Sequence, residues 1–232
     1  MGKITKGRLI CFEGLDGAGK TTIAKSTTKN LISRGIEAQL VKRKDPNCPS
    51  EDMTKHMLLL KELIWEYRDL PLQKLGDYHA LYNMASWFSA IDSCKIKPLL
   101  NSGITVVVDN WYYKFLARFI RKNTISAEHL KQCFSHLTIP DLIIYLDVNP
   151  EVAAERKNNF NKGETGFFDD FGEPSRDNFI IYQKLVKNNL NELAQQNDWF
   201  TISVDSKTPE QVAIFILERI EQLYYISSPI LI

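Results

Sequence analysis

The stretch Gly14-Leu15-Asp16-Gly17-Ala18-Gly19-Lys20-Thr21 is the strongest indication of the fold, because it fits the pattern G-x-x-x-x-G-K-[ST] at every fixed position. Glycines allow the backbone to form a nest whose N–H groups point at phosphate oxygens. A helix that follows such a loop presents its positive end to the same anion. The stretch therefore predicts a phosphate-binding loop (P-loop) for a nucleoside triphosphate, with these binding residues: Gly14, Asp16, Gly17, Ala18, Gly19, Lys20, Thr21 and Thr22.

The flanking sequence supplies the strand and the helix that this motif requires. Residues 8–12 form a short apolar run that predicts a buried strand, and residues 20–33 predict a helix. Lys20 is predicted to place its charge on the β- and γ-phosphates, and the Thr21 hydroxyl to coordinate Mg²⁺. Since the chain has no Asn-Lys-x-Asp string that would bind guanine, ATP with Mg²⁺ is the predicted cofactor.

Further apolar runs alternate with helical patterns along the chain. Strands are predicted at 38–41, 104–108, 141–148 and 200–204, and helices at 53–67, 78–100 and 209–224. Continuous apolar strands between helices are typical of a parallel sheet that is covered on both faces. The predicted fold is α/β: a doubly wound five-stranded parallel sheet with helices on both faces, in one P-loop domain over residues 1–232. A segment rich in Gly, Asn and Asp, about residues 157–177, predicts a short mobile lid.

Two of the predicted strands end in a carboxylate. Asp109 follows the run ITVVV, at the position where P-loop proteins place a carboxylate near magnesium. Thr21 and Asp109 are therefore the predicted metal ligands, although a strand can also end in Asp as a turn residue. Asp147 precedes Val-Asn-Pro and is predicted to cap a helix.

The charge balance and cysteine usage exclude several classes of protein. The 29 basic and 28 acidic residues give a net charge of +1, which argues against a nucleic-acid-binding surface. No apolar run approaches the ~18 residues of a membrane span, and the N-terminus lacks the features of a signal peptide. The four cysteines have no metal-binding spacing and predict free thiols. We expect a cytoplasmic protein that binds neither nucleic acid nor membrane.

The string FEGLDGAGKTT, residues 12–22, resembles the opening of thymidylate kinases, which phosphorylate dTMP to dTDP with ATP. Weaker similarities follow in the order of that family: KDP at 44–46, IKPLLNSG at 96–103 before VVVD, LDVNPEVA at 146–153, and VDS at 204–206. The resemblance covers nearly the whole chain. The resemblance implies a nucleoside monophosphate kinase with dTMP as the leading acceptor and a nucleotide as its partner. A homodimer is a further expectation.

This chain departs from the family pattern at residues that would bind the acceptor. Family members have Asp-Arg-Tyr after the third strand, with the arginine on the acceptor phosphate, whereas this chain has Asp109-Asn110-Trp111. The family arginine that contacts the base has no counterpart near Phe88-Ser89. Lys114 and Arg118, four residues apart, are predicted to share a helix face and to replace the missing charge, or else to form a solvated basic face. The predicted substrate-binding residues are Asp16 (at the sugar 3′-hydroxyl), Lys44, Asn110, Lys114 and Arg118, with Arg43 as a further candidate.

The resemblance also implies which residues act in catalysis. Position 17 is glycine, and family members of this kind supply a cation from the lid instead of the P-loop. Arg156 is therefore the predicted catalytic cation beside Lys20 and Asp109. The alternatives are Lys157, Lys162 and Arg176, or a lid whose charges are merely exposed. The aromatic groups at 111–113 and 167–168 are interpreted as packing residues, although they could also stack on a base.

Two other functions remain open from the sequence. The first is a kinase of the same fold that acts on another nucleotide or on a nucleoside. The second is a nucleotide-binding switch or degenerate kinase. The presence of Asp16, Lys20, Thr21 and Asp109 argues against the second, because a degenerate kinase is expected to have lost one of them.

Overall fold

A computed structural model describes residues 6–66 and 75–225 of the chain, without the side chain of Tyr225. Five strands form one sheet in the order β2-β3-β1-β4-β5, and every neighbouring pair is parallel. The strands are β1 (Leu9–Gly14), β2 (Ala38–Val41), β3 (Thr105–Val108), β4 (Leu142–Asp147) and β5 (Phe200–Ser203). The central strand β1 and its neighbour β3 are buried along their whole length, which explains their continuous apolar runs. The predicted sheet is confirmed.

Nine α-helices surround the sheet in the described ranges. They are α1 (Lys20–Ser33), α2 (Glu51–Lys61), α3 (Asp77–Ile91), α4 (Lys97–Asn101), α5 (Tyr113–Lys122), α6 (Ala127–Phe134), α7 (Pro150–Glu155), α8 (Arg176–Gln196) and α9 (Pro209–Tyr225). A π-helical turn, Glu62–Glu66, continues α2. Tyr67, the last residue of the helix predicted at 53–67, lies outside the described residues.

The helix predicted at 78–100 is interrupted. A π-helical turn, Asp92–Ile96, separates α3 from α4, and Pro98 lies in the first turn of α4. Proline has no backbone N–H to donate, and its ring crowds the carbonyl four residues earlier, so the helix is disturbed just before it. The wider turn also directs Asp92 inward, where its Oδ2 accepts from the Thr138 backbone N–H at 3.1 Å and from Lys97 Nζ at 2.8 Å.

The predicted helix cap at Asp147 is wrong. Asn149 caps α7 instead, since its Oδ1 accepts from the backbone N–H of Glu151 at 3.2 Å. Asp147 is still part of β4, and its carboxylate pairs with Lys187 Nζ at 2.7 Å. A carboxylate two residues before the cap is too early to reach the free N–H groups of the helix.

The parallel sheet places the carboxyl ends of all strands at one edge, where ligands bind in open α/β folds. The P-loop follows β1, the loop that begins at Lys42 follows β2, and Asp109 follows β3. Among the described residues, no helix combines the length and hydrophobicity that a membrane crossing requires.

Candidate active site

The P-loop between β1 and α1 folds closely against its neighbours. Gly14, Gly17 and Gly19 have φ values of 146°, 86° and 88°, which only glycine adopts readily. Lys20 is buried and folds back over the loop, where its Nζ donates to the backbone oxygens of Gly14 at 2.9 Å and Leu15 at 2.6 Å. Burial lowers the pKa of the Lys20 ammonium, and nearby Asp16 opposes that shift. The loop and its lysine therefore have the form that binds phosphate.

Gly17 and Gly19 allow a matched test of this loop. A Cβ at Gly17 would lie 2.7 Å from the backbone oxygen of Ala153, whereas one at Gly19 would meet no heavy atom of the described residues within 4 Å. We expect Gly19→Ala to lower the free energy of unfolding by about 1 kcal/mol through backbone strain alone. Gly17→Ala should lower it by about 2–4 kcal/mol, because the clash is added to the strain. Chemical denaturation of the nucleotide-free variants measures both, and equal losses would contradict the close packing on α7.

Asp109 joins the P-loop to the loop after β2. Its Oδ2 accepts from the Thr21 hydroxyl at 3.0 Å, and its Oδ1 accepts from the Arg43 backbone N–H at 2.9 Å. The two predicted metal ligands are thus in contact. No group of three or more His, Cys, Asp or Glu side chains that could hold a metal occurs in the described ranges. One hydroxyl and one carboxylate suit Mg²⁺, which usually keeps several waters and takes its other ligands from phosphates.

Lys114 and Arg118 both contact Asp16. Lys114 Nζ lies 2.7 Å from Asp16 Oδ1, and Arg118 NH2 lies 2.8 Å from Oδ2. The two cations share the face of α5 that points into the site, and Lys114 is 1% exposed. The alternative of a solvated basic face is therefore wrong. Burial favours a higher pKa for the Asp16 carboxyl, but Lys114 and Arg118 outweigh it and hold that pKa well below its usual value.

Arg43, rather than Lys44, points into the site. Its NH1 donates to Asn110 Oδ1 at 2.9 Å, and its guanidinium lies 5.3 Å from the centre of the Phe115 ring. Lys44 is exposed, and its Nζ lies 5.2 Å from the centre of the Trp65 ring at the edge of the site. Both line the larger cavity, but only Arg43 also lines the smaller one.

Glu13 lies beneath these residues and is fully buried. Its Oε2 accepts from Asn110 Nδ2 at 2.6 Å, and its Oε1 accepts from the Trp111 backbone N–H at 2.9 Å. Burial raises the pKa of Glu13 to about 7, against the opposing effects of Lys20 and Lys114. Asn110 therefore bridges a buried carboxylate and the guanidinium of Arg43.

Two cavities meet at the wall formed by Asp16, Arg43 and Lys114. The smaller cavity, about 190 Å³, lies over the P-loop and is also lined by Lys20, Thr21 and Asp109. The larger cavity, about 440 Å³, has aromatic and apolar walls beyond the cations; these are Ile64, Trp65, Phe115, Phe160, Phe168 and Pro174. One side thus suits phosphates, and the other could hold a planar base next to an anion.

The basic side chains in and next to the lid segment lie in different parts of the site. Lys162 lines the larger cavity, whereas Lys157 Nζ pairs with Glu164 at 3.1 Å. Arg156 NH2 donates to the backbone oxygen of Val204 at 2.7 Å and lines a third cavity, on the other side of the P-loop, together with Gly19 and Thr22. These contacts do not support the catalytic role predicted for Arg156, because they hold its guanidinium away from the wall that the first two cavities share.

The lid itself is anchored to α5. Its two short 3₁₀ turns are Lys162–Glu164 and Phe167–Asp169. The Asp169 carboxylate pairs with Arg121 NH2 at 2.7 Å and Lys122 Nζ at 2.8 Å. In this arrangement the lid covers the larger cavity, and its predicted mobility stays a prediction.

A family model described as thymidylate kinase matches residues 12–216. The chain belongs to the thymidylate kinase family. That match includes the P-loop, the cations of α5 and the lid, so both cavities lie within the part of the chain that the family model covers. The predicted family and the prediction of an ATP-dependent nucleoside monophosphate kinase are confirmed.

Individual thymidylate kinases agree with this assignment. The enzyme of Leptospira borgpetersenii is 32% identical over 171 residues, which cover 70% of this chain and 76% of that protein. A probable thymidylate kinase of Saccharolobus solfataricus is 27% identical over 209 residues, which cover 88% of this chain and 90% of that protein. The structure of a thymidylate kinase from Candida albicans superposes on this chain with a TM-score of 0.68 at 24% sequence identity. The match covers 94% of this chain and 92% of that chain, and it supports the fold.

Glu13 is the residue that sequence reasoning missed, although it lies beside the thymidylate kinase P-loop motif. The available signal was a carboxylate inside a strand whose other residues are apolar, since such a group is buried only with a partner. Arg43 was only a further candidate from the sequence, because it lies in the turn after β2, where strand alternation does not set the direction of a side chain. The packing interpretation of the aromatic group at 111–113 is supported for Trp111, whose ring meets Phe88 edge to face at 5.1 Å.

Proposed function

We propose that this chain transfers the γ-phosphate of ATP to dTMP, giving ADP and dTDP. The observation that carries the proposal is the shared wall of Asp16, Arg43 and Lys114 between a phosphate-binding cavity and an aromatic cavity. Phosphoryl transfer depends on holding two anions in line and neutralising the charge between them. A wall with two cations, in contact with both cavities, meets that need.

The acceptor phosphate is proposed to bind Lys114, Arg118 and Arg43. A monophosphate carries close to two negative charges at neutral pH, and its burial without cations would cost several kcal/mol. Asn110 has no charge, but its neighbours supply three positive charges around one carboxylate, Asp16. Asp16 is proposed to bind the sugar 3′-hydroxyl as well, and Lys44 to contribute from the rim.

The donor side is proposed to hold ATP with Mg²⁺. The P-loop amides and Lys20 would bind its phosphates, and Thr21 and Asp109 would hold the metal, which neutralises phosphate charge when bound. Because Arg156 lies beside Gly19, Thr22 and Val204, we place it next to the donor nucleotide. Lys162, which lines the acceptor cavity, replaces it as the proposed lid cation for the transition state. A cytoplasmic location and a homodimer remain predictions.

A kinase for a different acceptor is the second candidate, because Asn110 stands where family members carry the arginine of the acceptor phosphate. A panel of nucleoside monophosphates and nucleosides, assayed for ADP release at saturating ATP, distinguishes the two. We expect dTMP to be the best acceptor and thymidine to react at least about 100-fold more slowly in kcat/KM, since the cations would then bind no phosphate. Faster turnover of thymidine would favour a nucleoside kinase, and no turnover of any acceptor would favour a nucleotide-binding switch.

A further inference from the structure

Three side chains connect the centre of the sheet to the acceptor cavity. Glu13 lies at the carboxyl end of β1, Asn110 follows β3, and Arg43 follows β2. Glu13 Oε2 accepts from Asn110 Nδ2 at 2.6 Å, and Asn110 Oδ1 accepts from Arg43 NH1 at 2.9 Å. Glu13 is fully buried and does not line either of the two cavities, so it can affect a substrate only through its neighbours.

The polarity of this chain of hydrogen bonds is fixed by the ionised carboxylate of Glu13, the form that predominates above its pKa of about 7. Both carboxylate oxygens accept from N–H groups, one from the Trp111 backbone and one from the Asn110 amide. An amide has one N–H₂ end and one carbonyl end, so an N–H₂ that faces Glu13 leaves the carbonyl facing Arg43. The reverse orientation would place a carbonyl against a carboxylate and N–H donors against a guanidinium, which are both repulsive.

Arg43 depends on that carbonyl. Its side chain spans the wall between the two cavities, over the Phe115 ring, and the Asn110 Oδ1 contact is a charge-assisted hydrogen bond. Without that acceptor the long side chain would regain several rotamers and the side-chain entropy that goes with them. A fixed guanidinium loses less freedom when it binds a phosphate.

We propose that Glu13 is a positioning residue for acceptor binding: through the Asn110 amide it holds the Arg43 guanidinium towards the acceptor phosphate. The inference rests on the proposed transfer to a nucleoside monophosphate. It also explains how the site tolerates an uncharged residue at position 110. The charge comes from Arg43 on the neighbouring loop, and Asn110 directs it.

Replacement of Glu13 by glutamine keeps the shape and tests the polarity. Glutamine has only one acceptor oxygen, which the Trp111 N–H occupies, so its N–H₂ faces Asn110 and the Asn110 amide turns over. Its N–H₂ end then faces Arg43. We expect the KM for dTMP to rise about tenfold in Glu13→Gln, with kcat and the KM for ATP changed by no more than about twofold. The midpoint of thermal unfolding, measured alongside, reports on folding.

A second substitution should restore the polarity. In Glu13→Gln/Asn110→Asp the N–H₂ of the introduced glutamine donates to one oxygen of the introduced carboxylate, and Arg43 donates to the other. The net charge equals that of the parent chain, and we expect the KM for dTMP to return to within about threefold of the parent value. A merely structural role of Glu13 would not be rescued in KM by moving the carboxylate to position 110.

Arg43→Met measures how far the KM for dTMP rises when the Arg43 guanidinium is removed altogether. Arg43→Met should raise the KM for dTMP at least as much as Glu13→Gln does. Adding Glu13→Gln to Arg43→Met should not change the KM further, because the guanidinium that Glu13 positions is then absent. An unchanged KM in Glu13→Gln, absence of rescue, or additive effects of the two substitutions would each overturn the inference while the parent chain remains active. A parent chain that phosphorylates no nucleoside monophosphate would overturn the proposed function and this inference together.

Discussion

Replacement of Lys20 by alanine is expected to lower kcat by about three orders of magnitude or more, with the fold intact. Lys20 Nζ already contacts the loop oxygens of Gly14 and Leu15, which places its charge where the β- and γ-phosphates would lie. Three orders of magnitude correspond to about 4 kcal/mol of transition-state stabilisation, typical of a charged group directed at a transferred phosphoryl. Stability should change little, because the ammonium is buried at a cost that its removal abolishes.

The measurement is ADP release at saturating ATP and dTMP, with circular dichroism to verify the fold. Lys29→Ala is the matched control: it removes an exposed lysine from the same helix, α1, and should leave kcat within about twofold of the parent value. Comparable turnover in Lys20→Ala and Lys29→Ala would refute the assignment of the P-loop.

Replacement of Lys114 by methionine should raise the KM for dTMP by about 10- to 100-fold, with the KM for ATP little changed. Methionine keeps most of the apolar stem and removes the charge. Lys114 is the more buried partner of Asp16, so its loss would remove a cation from the proposed acceptor-phosphate site and would also leave Asp16 with Arg118 alone. A factor of about 10–100 corresponds to about 1.4–2.7 kcal/mol.

Arg118→Met should have the same direction and a smaller effect of about tenfold, because Arg118 is 16% exposed in its side chain whereas Lys114 is 1% exposed. Lys131→Met, on the exposed side of α6, serves as the control and should leave both KM values unchanged. Normal dTMP binding in the Lys114 and Arg118 variants would mean that Arg43 and Lys44 bind the phosphate without them.

The parts of this fold that the sequence predicts are those in which local pattern dictates backbone geometry. The P-loop motif requires glycine conformations that few other sequences allow, and the apolar runs of β1 and β3 occur because both strands are buried along their whole length. Pro98 indicates where the helix after residue 78 is disturbed, but residue type does not predict that the disturbance is a π-helical turn, since α- and π-helical turns accept the same side chains.

The site was predicted less completely because its remaining parts depend on contacts distant in sequence. Glu13 and Asn110 are 97 residues apart, and only the register of β1 beside β3 brings them together. Arg156 carries the expected charge in the expected segment, but a backbone oxygen 48 residues later fixes its direction. Lys114 and Arg118 were predictable because helical spacing, a local property, places them on one face.

The ion pairs of Asp16 change the physical character of acceptor binding. Asp16 places one negative charge between Lys114 and Arg118, so the acceptor phosphate would not enter a purely basic pocket. Phosphate binding would then bring a second anion to cations whose charge the protein's own aspartate already offsets in part. The aspartate orders both side chains beforehand and lessens the repulsion between them, at the expense of some affinity for the phosphate. A site built this way favours rapid turnover over tight retention of the nucleotide.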